Sequence, residues 1–290
     1  MEQRHAVPHA INKLKLVEVG NPANKAAKVT RCGLPLGKTM YCGDARHRQD
    51  LEPDREVISG GESSNDVWFI RSGILRLQRY SYEGRRQILA LFLPGEIVGF
   101  EGEFHEGVSV ETATQSSLCR INRRWFNKMM DQNDDLRAEL FGQKQDQLDW
   151  LHWLTWSLGA LTPEERLCAF LALSSTFMPY QPFPDGTGIL SMDLPRRDIA
   201  DLLGTTVETI SRVLHKLADS GIIEIRDPAH FHLRDLHRLI ARGKIDGLFD
   251  RMTIGLAKRR NHLEGIATRR QKIEKLVALG SDNPLCFCGG

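Results

Sequence analysis

The stretch Pro195–Ile225 reads PRRDIADLLGTTVETISRVLHKLADSGIIEI. Apolar residues recur every three or four positions in two short segments, and a glycine, Gly204 or Gly221, ends each of them. This spacing predicts two helices, because glycine readily takes the left-handed conformation that ends a helix. A short turn separates them, and the alternating stretch IIEIRDPAHFHLRD that overlaps their end predicts a hairpin. Together these elements predict a helix-turn-helix with a wing, meaning the hairpin beside it.

The residues before this stretch complete a winged helix-turn-helix domain, which we assign to residues 161–235. In LTPEERLCAFLAL, Thr162 is expected to cap a helix, with Pro163 at its first position and Glu165 in a capping box. The turn-rich stretch FPDGTGILSMDL then predicts a strand. The order helix, strand, helix, turn, helix and hairpin is typical of a winged helix-turn-helix.

Residues 31–123 are expected to form an antiparallel β-roll of the jelly-roll kind, so that the fold class is α+β. In VWFIRSGILRLQRYSYEGRRQILALFLPGEIVGF, short runs rich in β-branched and aromatic residues alternate with glycine turns. Apolar and polar residues roughly alternate within ILRLQRY, as on a strand with one buried face. Residues 1–30 are polar and lack periodicity, and we interpret them as a flexible leader.

Residues 124–160 have the period of a long helix, which we interpret as a dimerisation helix. A stripe at heptad-like spacing runs along it, made of Leu136, Leu140, Gln147, Leu151, Leu154 and Leu158. Such a stripe is typical of the seam between two helices of a dimer. The alternative is that the same stripe packs against the β domain of its own chain.

The composition is that of a globular protein of 290 residues, with 41% hydrophobic and 26% charged residues and a formal net charge of +2. No apolar run approaches the roughly 18 residues that cross a membrane, and the N-terminus lacks the apolar core of a signal peptide. We therefore expect no membrane partner and a cytoplasmic location. Six cysteines are too few for a disulfide scaffold, so we interpret them as free thiols, metal ligands or redox groups.

Three stretches carry a family resemblance: LALFLPGEIVGF, PEERLCAFL and the opening helix-turn-helix. Over residues 32–235 the chain resembles the CRP/FNR superfamily of bacterial transcription regulators, and within it the FNR/FixK-type branch. The resemblance implies a homodimer with an N-terminal, cyclic-nucleotide-binding-like β-roll as sensor, a long dimerisation helix and a C-terminal winged helix. It also implies a palindromic DNA site, with RNA polymerase as a partner if the protein is an activator.

In FNR-type members the recognition helix carries the pattern E-x-x-S-R, which falls here on Glu208, Ser211 and Arg212. Arg can donate to O6 and N7 of guanine, Glu can accept from N4 of cytosine, and Ser can serve a base or a phosphate. The three positions share one helix face, and the opposite face, from Val207 to Leu217, is expected to pack inward. The further expected DNA contacts are Thr205, Thr206, Thr209, His215, Lys216, Arg196 and Arg197. The alternative is a polar, solvated face on an ordinary helical pair.

A cyclic nucleotide is not expected as the signal. Gly95 and Glu96 match a motif of the nucleotide-binding branch, but residues 87–119 contain no Lys or Arg. A buried cyclic phosphate without a cation would be costly. We therefore expect a redox, oxygen or other gas, or metal signal instead.

An iron–sulfur cluster is one candidate cofactor, since FNR-type sensors use three closely spaced N-terminal cysteines and one later cysteine. Cys119 matches the later position, but CGLPLGKTMYC holds only Cys32 and Cys42, with Pro35 near the place of another. Because such clusters usually need four thiolates, one ligand is missing. The candidates for it are Asp44, His47 and the tail cysteines. The alternative is a FixK-like protein without a cluster, controlled by its expression level or by thiol oxidation.

Residues 236–290 are expected to be a helical extension, rich in Lys and Arg, that ends in NPLCFCGG. Cys286 and Cys288 stand there in a C-x-C-G pattern that resembles the opening of the SEC-C zinc motif, without its second half. Two thiolates do not fill a tetrahedral zinc site, so Cys32 and Cys42, or the tail of a second subunit, would have to complete it. Extending the dimer seam and contacting DNA phosphates are the other roles open to the extension.

Other cofactors and classes are less well supported. A haem ligand would have to be His105, the only histidine between Arg48 and His152, and Cys168 is interpreted as a buried core thiol. A cupin-like enzyme would need a histidine-rich metal cluster, which the β segment lacks. A regulator that acts through protein contacts alone would not need the E-x-x-S-R set. We therefore interpret the chain as a sequence-specific DNA-binding regulator and not as an enzyme.

Overall fold

The computed structural model describes residues 48–61, 64–100, 106–245 and 247. Outside the described residues lie the leader at 1–30, most of the extension at 236–290, and seven candidate ligands: Cys32, Cys42, Asp44, His47, His105, Cys286 and Cys288.

The N-terminal part is a roll of two antiparallel four-stranded sheets, which confirms the predicted β-roll. Its strands are β1 Arg48–Leu51, β2 Glu56–Ile58, β3 Asp66–Ser72, β4 Leu75–Tyr80, β5 Arg86–Phe92, β6 Ile97–Val98, β7 Val108–Thr112 and β8 Ser116–Asn122. The first sheet has the order β1-β8-β3-β6 and the second has the order β2-β7-β4-β5.

Alternate side chains of the two sheets meet in an apolar core. Its buried members are Ile58, Trp68, Ile70, Leu75, Phe92, Val98, Val110 and Leu118. Gly73 makes the turn from β3 to β4 with φ +86°, and a Cβ there would collide with Ser116 of β8. Only glycine accepts both the positive φ and this close approach.

Two helices follow the roll where the sequence predicts one. Helix α1, Arg123–Gln132, has Asn122 as its N-cap, and helix α2, Asp134–Ala160, has Asn133 as its N-cap. Each asparagine side chain accepts a hydrogen bond from a backbone N–H in the first turn of its helix. Asn133 has an extended backbone, φ −136° and ψ 98°, and therefore separates the two helices within the predicted run.

One amide ties α2 to the edge of the first sheet. The buried side chain of Gln143 accepts a hydrogen bond from the backbone N–H of Ile97 at 3.0 Å and donates one to its carbonyl oxygen at 2.7 Å. Ile97 belongs to β6, which has β3 on one side only. Gln143 therefore takes the place of a neighbouring strand for this edge.

Replacing Gln143 with leucine is expected to lower the free energy of unfolding by about 1–3 kcal/mol for each buried backbone group left without a partner. The measurement is urea unfolding followed by circular dichroism. Gln132→Leu is the matched control, because that side chain is exposed at the end of α1 and lies off α2. Equal unfolding midpoints for wild type and Gln143→Leu would show that the amide bonds add nothing.

The C-terminal part is a winged helix-turn-helix, as predicted. Its helices are α3 Pro163–Phe177, α4 Arg196–Leu202, α5 Val207–Asp219 and α6 Leu236–Arg242, and its strands are β9 Tyr180–Pro182, β10 Gly188–Ser191, β11 Ile223–Ile225 and β12 His230–Leu233. The strands form one sheet in the order β11-β12-β10-β9. The capping box between Thr162 and Glu165 is present, and Gly204 and Gly221 have positive φ after α4 and α5.

One apolar cluster joins the roll to the winged helix. It contains Ile88 of β5, Trp153 of α2 and Phe170 of α3. The two parts therefore share a packed boundary, through which the roll can position α4 and α5. Within the described ranges, no helix is long and apolar enough to cross a membrane.

Candidate nucleic-acid interface

Helix α5 is anchored by one face and presents the other to solvent. The hydroxyl oxygen of Thr206 caps the helix by accepting a hydrogen bond from the backbone N–H of Thr209 at 3.2 Å. The buried face consists of Ile210, Val213, Leu214 and Leu217. Val207 was expected to pack inward as well, but it is 37% exposed, because it is the first residue of the helix and lies at the end of this stripe.

The solvent face carries the E-x-x-S-R residues. Glu208 and Arg212 are exposed and Ser211 is half-buried. The backbone N–H of Glu208 and the hydroxyl of Thr206 hold the pKa of the Glu208 carboxyl below its usual range, so this carboxylate is ionised at neutral pH. Arg212 has no ion-pair partner within the described residues. A charged acceptor and a free guanidinium donor therefore stand one helical turn apart.

The other predicted contacts fall into two groups. Exposed or half-buried positions on α4, α5 or the turn between them are Thr205, Thr206, Thr209, His215 and Arg197. Arg197 also pairs loosely with Asp201, at 3.9 Å, and two other cations bind groups of the protein more closely. Lys216 Nζ lies 2.6 Å from Glu164 of α3, and the Arg196 guanidinium lies 4.8 Å from the ring centroid of Phe231 in β12. Contact of all these residues with DNA stays a prediction, and Lys216 and Arg196 would have to leave these partners to make it.

Helix α2 has an exposed apolar stripe, of which the predicted seam contains only Leu151. Phe141 is 74% exposed, Leu148 45% and Leu151 43%. They are seven and three residues apart and therefore share one face. Trp156, at the edge of this face, is also exposed. We call Phe141, Leu148 and Leu151 the α2 stripe.

Of the six predicted seam residues, three are buried in the apolar clusters of their own chain: Leu136, Leu140 and Leu154. Leu151 belongs to the α2 stripe, while Gln147 and Leu158 are half-buried. The spacing alone could not separate the inward stripe from the outward one, because both repeat at nearly the same helical period. The heptad spacing of Phe141 and Leu148 is the sequence signal that marks the outward stripe.

Two cysteines lie in the part of the chain that the structure describes. Cys119 of β8 is buried and disulfide-bonded, whereas Cys168 of α3 is a buried free thiol. Among the described residues, no three His, Cys, Asp or Glu side chains are grouped so that they could hold a metal ion. The described residues alone therefore do not fit an iron–sulfur cluster or a zinc ion.

Burial raises the pKa of the Cys168 thiol to about 12, with the Glu164 carboxylate as a second cause. At pH 8 we expect alkylation of Cys168 by iodoacetamide to be about a thousandfold slower than for a thiol of ordinary pKa, because the thiolate is the nucleophile. The measurement is mass spectrometry of the Cys168 peptide after timed labelling, with urea-unfolded protein as the control. Equal labelling of native and unfolded protein would contradict the buried position.

The Gly95–Glu96 turn is stabilised by its own side chain. Glu96 Oε2 accepts a hydrogen bond from the backbone N–H of Leu93 at 2.6 Å. The N–H of Gly95 donates to the carbonyl oxygen of Ile70 in β3 at 2.8 Å. Residues 106–118, which follow in the described chain, contain no Lys or Arg. This stretch therefore supplies no cation for a bound phosphate.

Two family models match the chain. A cyclic nucleotide-binding domain matches residues 48–133, and a Crp-like helix-turn-helix domain matches residues 165–242. The first match covers the roll and α1, and the second covers the winged helix through α6.

Three relatives are similar over most of their own length. A probable transcriptional activator from Rhizobium leguminosarum bv. viciae is 30% identical over 237 residues, which cover 79% of this chain and 97% of that protein. The nitrogen fixation regulation protein FixK from Rhizobium meliloti is 32% identical over 177 residues, or 61% of this chain and 77% of FixK. The transcriptional activator protein FnrL from Cereibacter sphaeroides is 28% identical over 221 residues, or 76% and 88%.

Solved structures are similar as well. FixK2 from Bradyrhizobium japonicum superposes with a TM-score of 0.60 at 26% identity, covering 67% of this chain and 95% of FixK2. A CooA mutant from Carboxydothermus hydrogenoformans superposes with a TM-score of 0.61 over 74% of this chain and 96% of CooA. Its 22% identity makes it a likeness of fold alone.

Proposed function

Since the chain belongs to the CRP/FNR superfamily of transcription regulators, we propose that it is a homodimer that binds a palindromic, FNR-like DNA site. The observation that carries this proposal is the solvent face of α5, where Glu208 and Arg212 are exposed on a helix whose other face is buried. Arg212 suits the two acceptors of guanine, and Glu208 suits the amino group of cytosine. The capped helix start at Thr205 and Thr206 suits a backbone phosphate.

The homodimer is supported by the α2 stripe. Three large apolar side chains on one face of a long helix are costly to leave in water, and a second copy of the same helix would cover them. A two-fold axis beside α2 would set the two α5 helices about one DNA turn apart, which requires a palindromic site.

The proposed signal is redox, oxygen or another gas, or a metal, and not a cyclic nucleotide. The lack of Lys and Arg from 87 to 119 argues against a cyclic nucleotide, because a buried phosphate would find no cation in this stretch. A redox, gas or metal signal is supported by the cysteines of the sequence, of which Cys119 is buried in the roll. A regulator without a cluster, controlled by thiol oxidation or by its expression level, is the second candidate, and the disulfide bond of Cys119 supports control by thiol oxidation.

RNA polymerase is a proposed partner, because two of the relatives above are called transcriptional activators in their names. The cytoplasm is the location in which a DNA-binding regulator of this kind would act.

The DNA proposal is tested by fluorescence anisotropy with purified full-length protein. A labelled FNR-like palindrome is compared with scrambled DNA of the same composition at moderate salt, because phosphate contacts alone weaken steeply as salt rises. We expect binding to the palindrome to be at least about a thousandfold tighter than to scrambled DNA. Equal affinity for the two DNAs would refute sequence-specific binding.

The signal is tested on protein purified without oxygen. Iron, sulfide and zinc are quantified, the visible spectrum is recorded, and the palindrome is titrated before and after air exposure. Bound iron and sulfide, or zinc, would support a metal signal. Colourless, metal-free protein that binds the palindrome fully, with or without reductant, would refute both the cluster and the thiol switch.

A further inference from the structure

A buried cluster of charges joins the roll to the first helix of the helix-turn-helix. Arg76 of β4 is 2% exposed, and its guanidinium bonds Asp198 of α4 at 2.8 Å. The same group bonds Glu111 of β7 at 2.9 Å and Asp54 at 2.5 Å. Its Nε donates to Gln78 at 2.8 Å. One arginine of the second sheet thus binds a carboxylate of the winged helix and two carboxylates of its own domain.

A second arginine completes the contact. Arg86 of β5 bonds the other oxygen of Asp198 at 2.5 Å, and its Nε donates to Asp201 at 2.7 Å. The carboxylate of Asp198, 3% exposed, is therefore held by two guanidinium groups from neighbouring strands. The side-chain amide of Gln87 adds a hydrogen bond to the carbonyl oxygen of Leu202, at the end of α4, at 3.2 Å.

The two arginines remain charged in spite of their burial. Burial by itself lowers the pKa of Arg76, but its bonds to Asp54, Asp198 and Glu111 outweigh that effect and raise the pKa. For Arg86, burial also opposes the charge, and Asp201 and Asp198 overcome it. Such a cluster is a poor source of net stability but defines geometry strictly, because each guanidinium bonds its carboxylates in fixed directions.

We propose that Arg76, Arg86 and Asp198 form a latch that fixes the helix-turn-helix on the sensor roll in the orientation that binds DNA. In the latched arrangement the Glu208–Arg212 face of α5 is open to solvent, so the latch does not block recognition. The two arginines bind α4, and a short turn connects α4 to α5. Holding α4 in place therefore fixes the direction of α5.

The latch also connects this orientation to the state of the roll. Arg76 and Arg86 lie on β4 and β5, which pair from Leu75↔Phe92 to Tyr80↔Arg86, with a register shift between Leu77 and Gln78. Any change in how these two strands lie would move the two guanidinium groups relative to each other and release Asp198. Arg76, Arg86 and Asp198 are thus positioning residues for DNA binding, and this role rests on the proposed homodimer and palindrome.

The test compares a palindrome with a single half-site for Asp198→Asn, which keeps the shape of the side chain and removes its charge. Loss of a fixed orientation penalises simultaneous binding of two half-sites, so we expect affinity for the palindrome to fall by about tenfold or more, a usual size for coupling between sites. Affinity for one half-site is expected to stay within about twofold, because the α5 face itself is unchanged. Asp131→Asn, on an exposed position of α1, is the matched control and is expected to leave both affinities unchanged.

A second variant and a second measurement test the proposal independently of the first variant. Asp201→Asn weakens the two contacts that Arg86 makes with Asp201, from Nε at 2.7 Å and from Nη2 at 2.6 Å, and leaves Asp198 in place. It is expected to give a smaller loss in the same direction, even if Asp198→Asn folds poorly. Hydrogen exchange of α4 is measured on the same dimers, and the latch requires faster exchange in both variants. Unchanged or tighter palindrome binding by folded, dimeric variants would overturn the proposal. If the wild type did not prefer the palindrome to scrambled DNA, the DNA proposal would fail. Equal hydrogen exchange of α4 in wild type and variants would separately overturn the latch.

Discussion

Replacing Arg212 with alanine is expected to weaken binding to the palindrome by about 1–3 kcal/mol in each half-site and to erase discrimination at one base pair per half-site. Arg212 is exposed on the solvent face of α5 and has no ion-pair partner within the described residues, so its donors are available for a base. Because a dimer presents this residue twice, the loss on the whole site is about twice that on one half-site.

The measurement is a set of anisotropy titrations on the palindrome and on variants with symmetric substitutions at each base pair. Arg197→Ala serves as the comparison, because the Arg197 side chain is exposed on α4 and suits a phosphate. That variant is expected to weaken binding on all sequences about equally and to reduce the salt dependence. If Arg212→Ala weakened every sequence equally, Arg212 would be a phosphate contact and the assignment of a base to it would fail.

Short-range signals are the reason why the winged helix could be predicted from the sequence. The capping box at Thr162, the helix ends before Gly204 and Gly221, and the four buried apolar residues of α5 each depend on residues within a few positions. Asn133 is the exception among the local signals. Its side chain caps α2, but the apolar period continues across it, so the sequence favoured one helix over two.

Long-range contacts between charged side chains leave no mark in the local sequence pattern. The alternation of ILRLQRY places Arg76 and Gln78 on the polar face of β4, and such a face usually meets solvent. In the structure that face meets α4, and Arg76 pairs with Asp198, which lies 122 residues away. Charge alone gave no sign of this pairing, because a buried Arg and an exposed one have the same place in a strand pattern. The inward and outward stripes of α2 are ambiguous for a different reason, since both repeat at nearly the same helical period.

Replacing Leu148 with glutamate is expected to convert the dimer into a monomer and to reduce affinity for the palindrome by a factor of about 10² to 10⁴, the usual gain from linking two binding modules. Leu148 lies near the middle of the α2 stripe and is 45% exposed in the single chain. A carboxylate there would be buried against its two-fold mate, where two like charges and their lost hydration oppose association. The monomer itself is expected to keep its stability, because the side chain already faces water.

Sedimentation velocity and anisotropy on the palindrome and on a half-site measure this prediction. Asn127→Glu is the matched control, since it adds the same charge at an exposed position of α1, away from the stripe, and is expected to remain dimeric. Half-site binding by Leu148→Glu should equal that of the wild type, because the change lies on α2 and leaves the α5 face untouched. A Leu148→Glu protein that stays dimeric with unchanged affinity would show that the dimer contact does not lie on the α2 stripe. Another part of the chain would then have to set the distance between the two recognition helices.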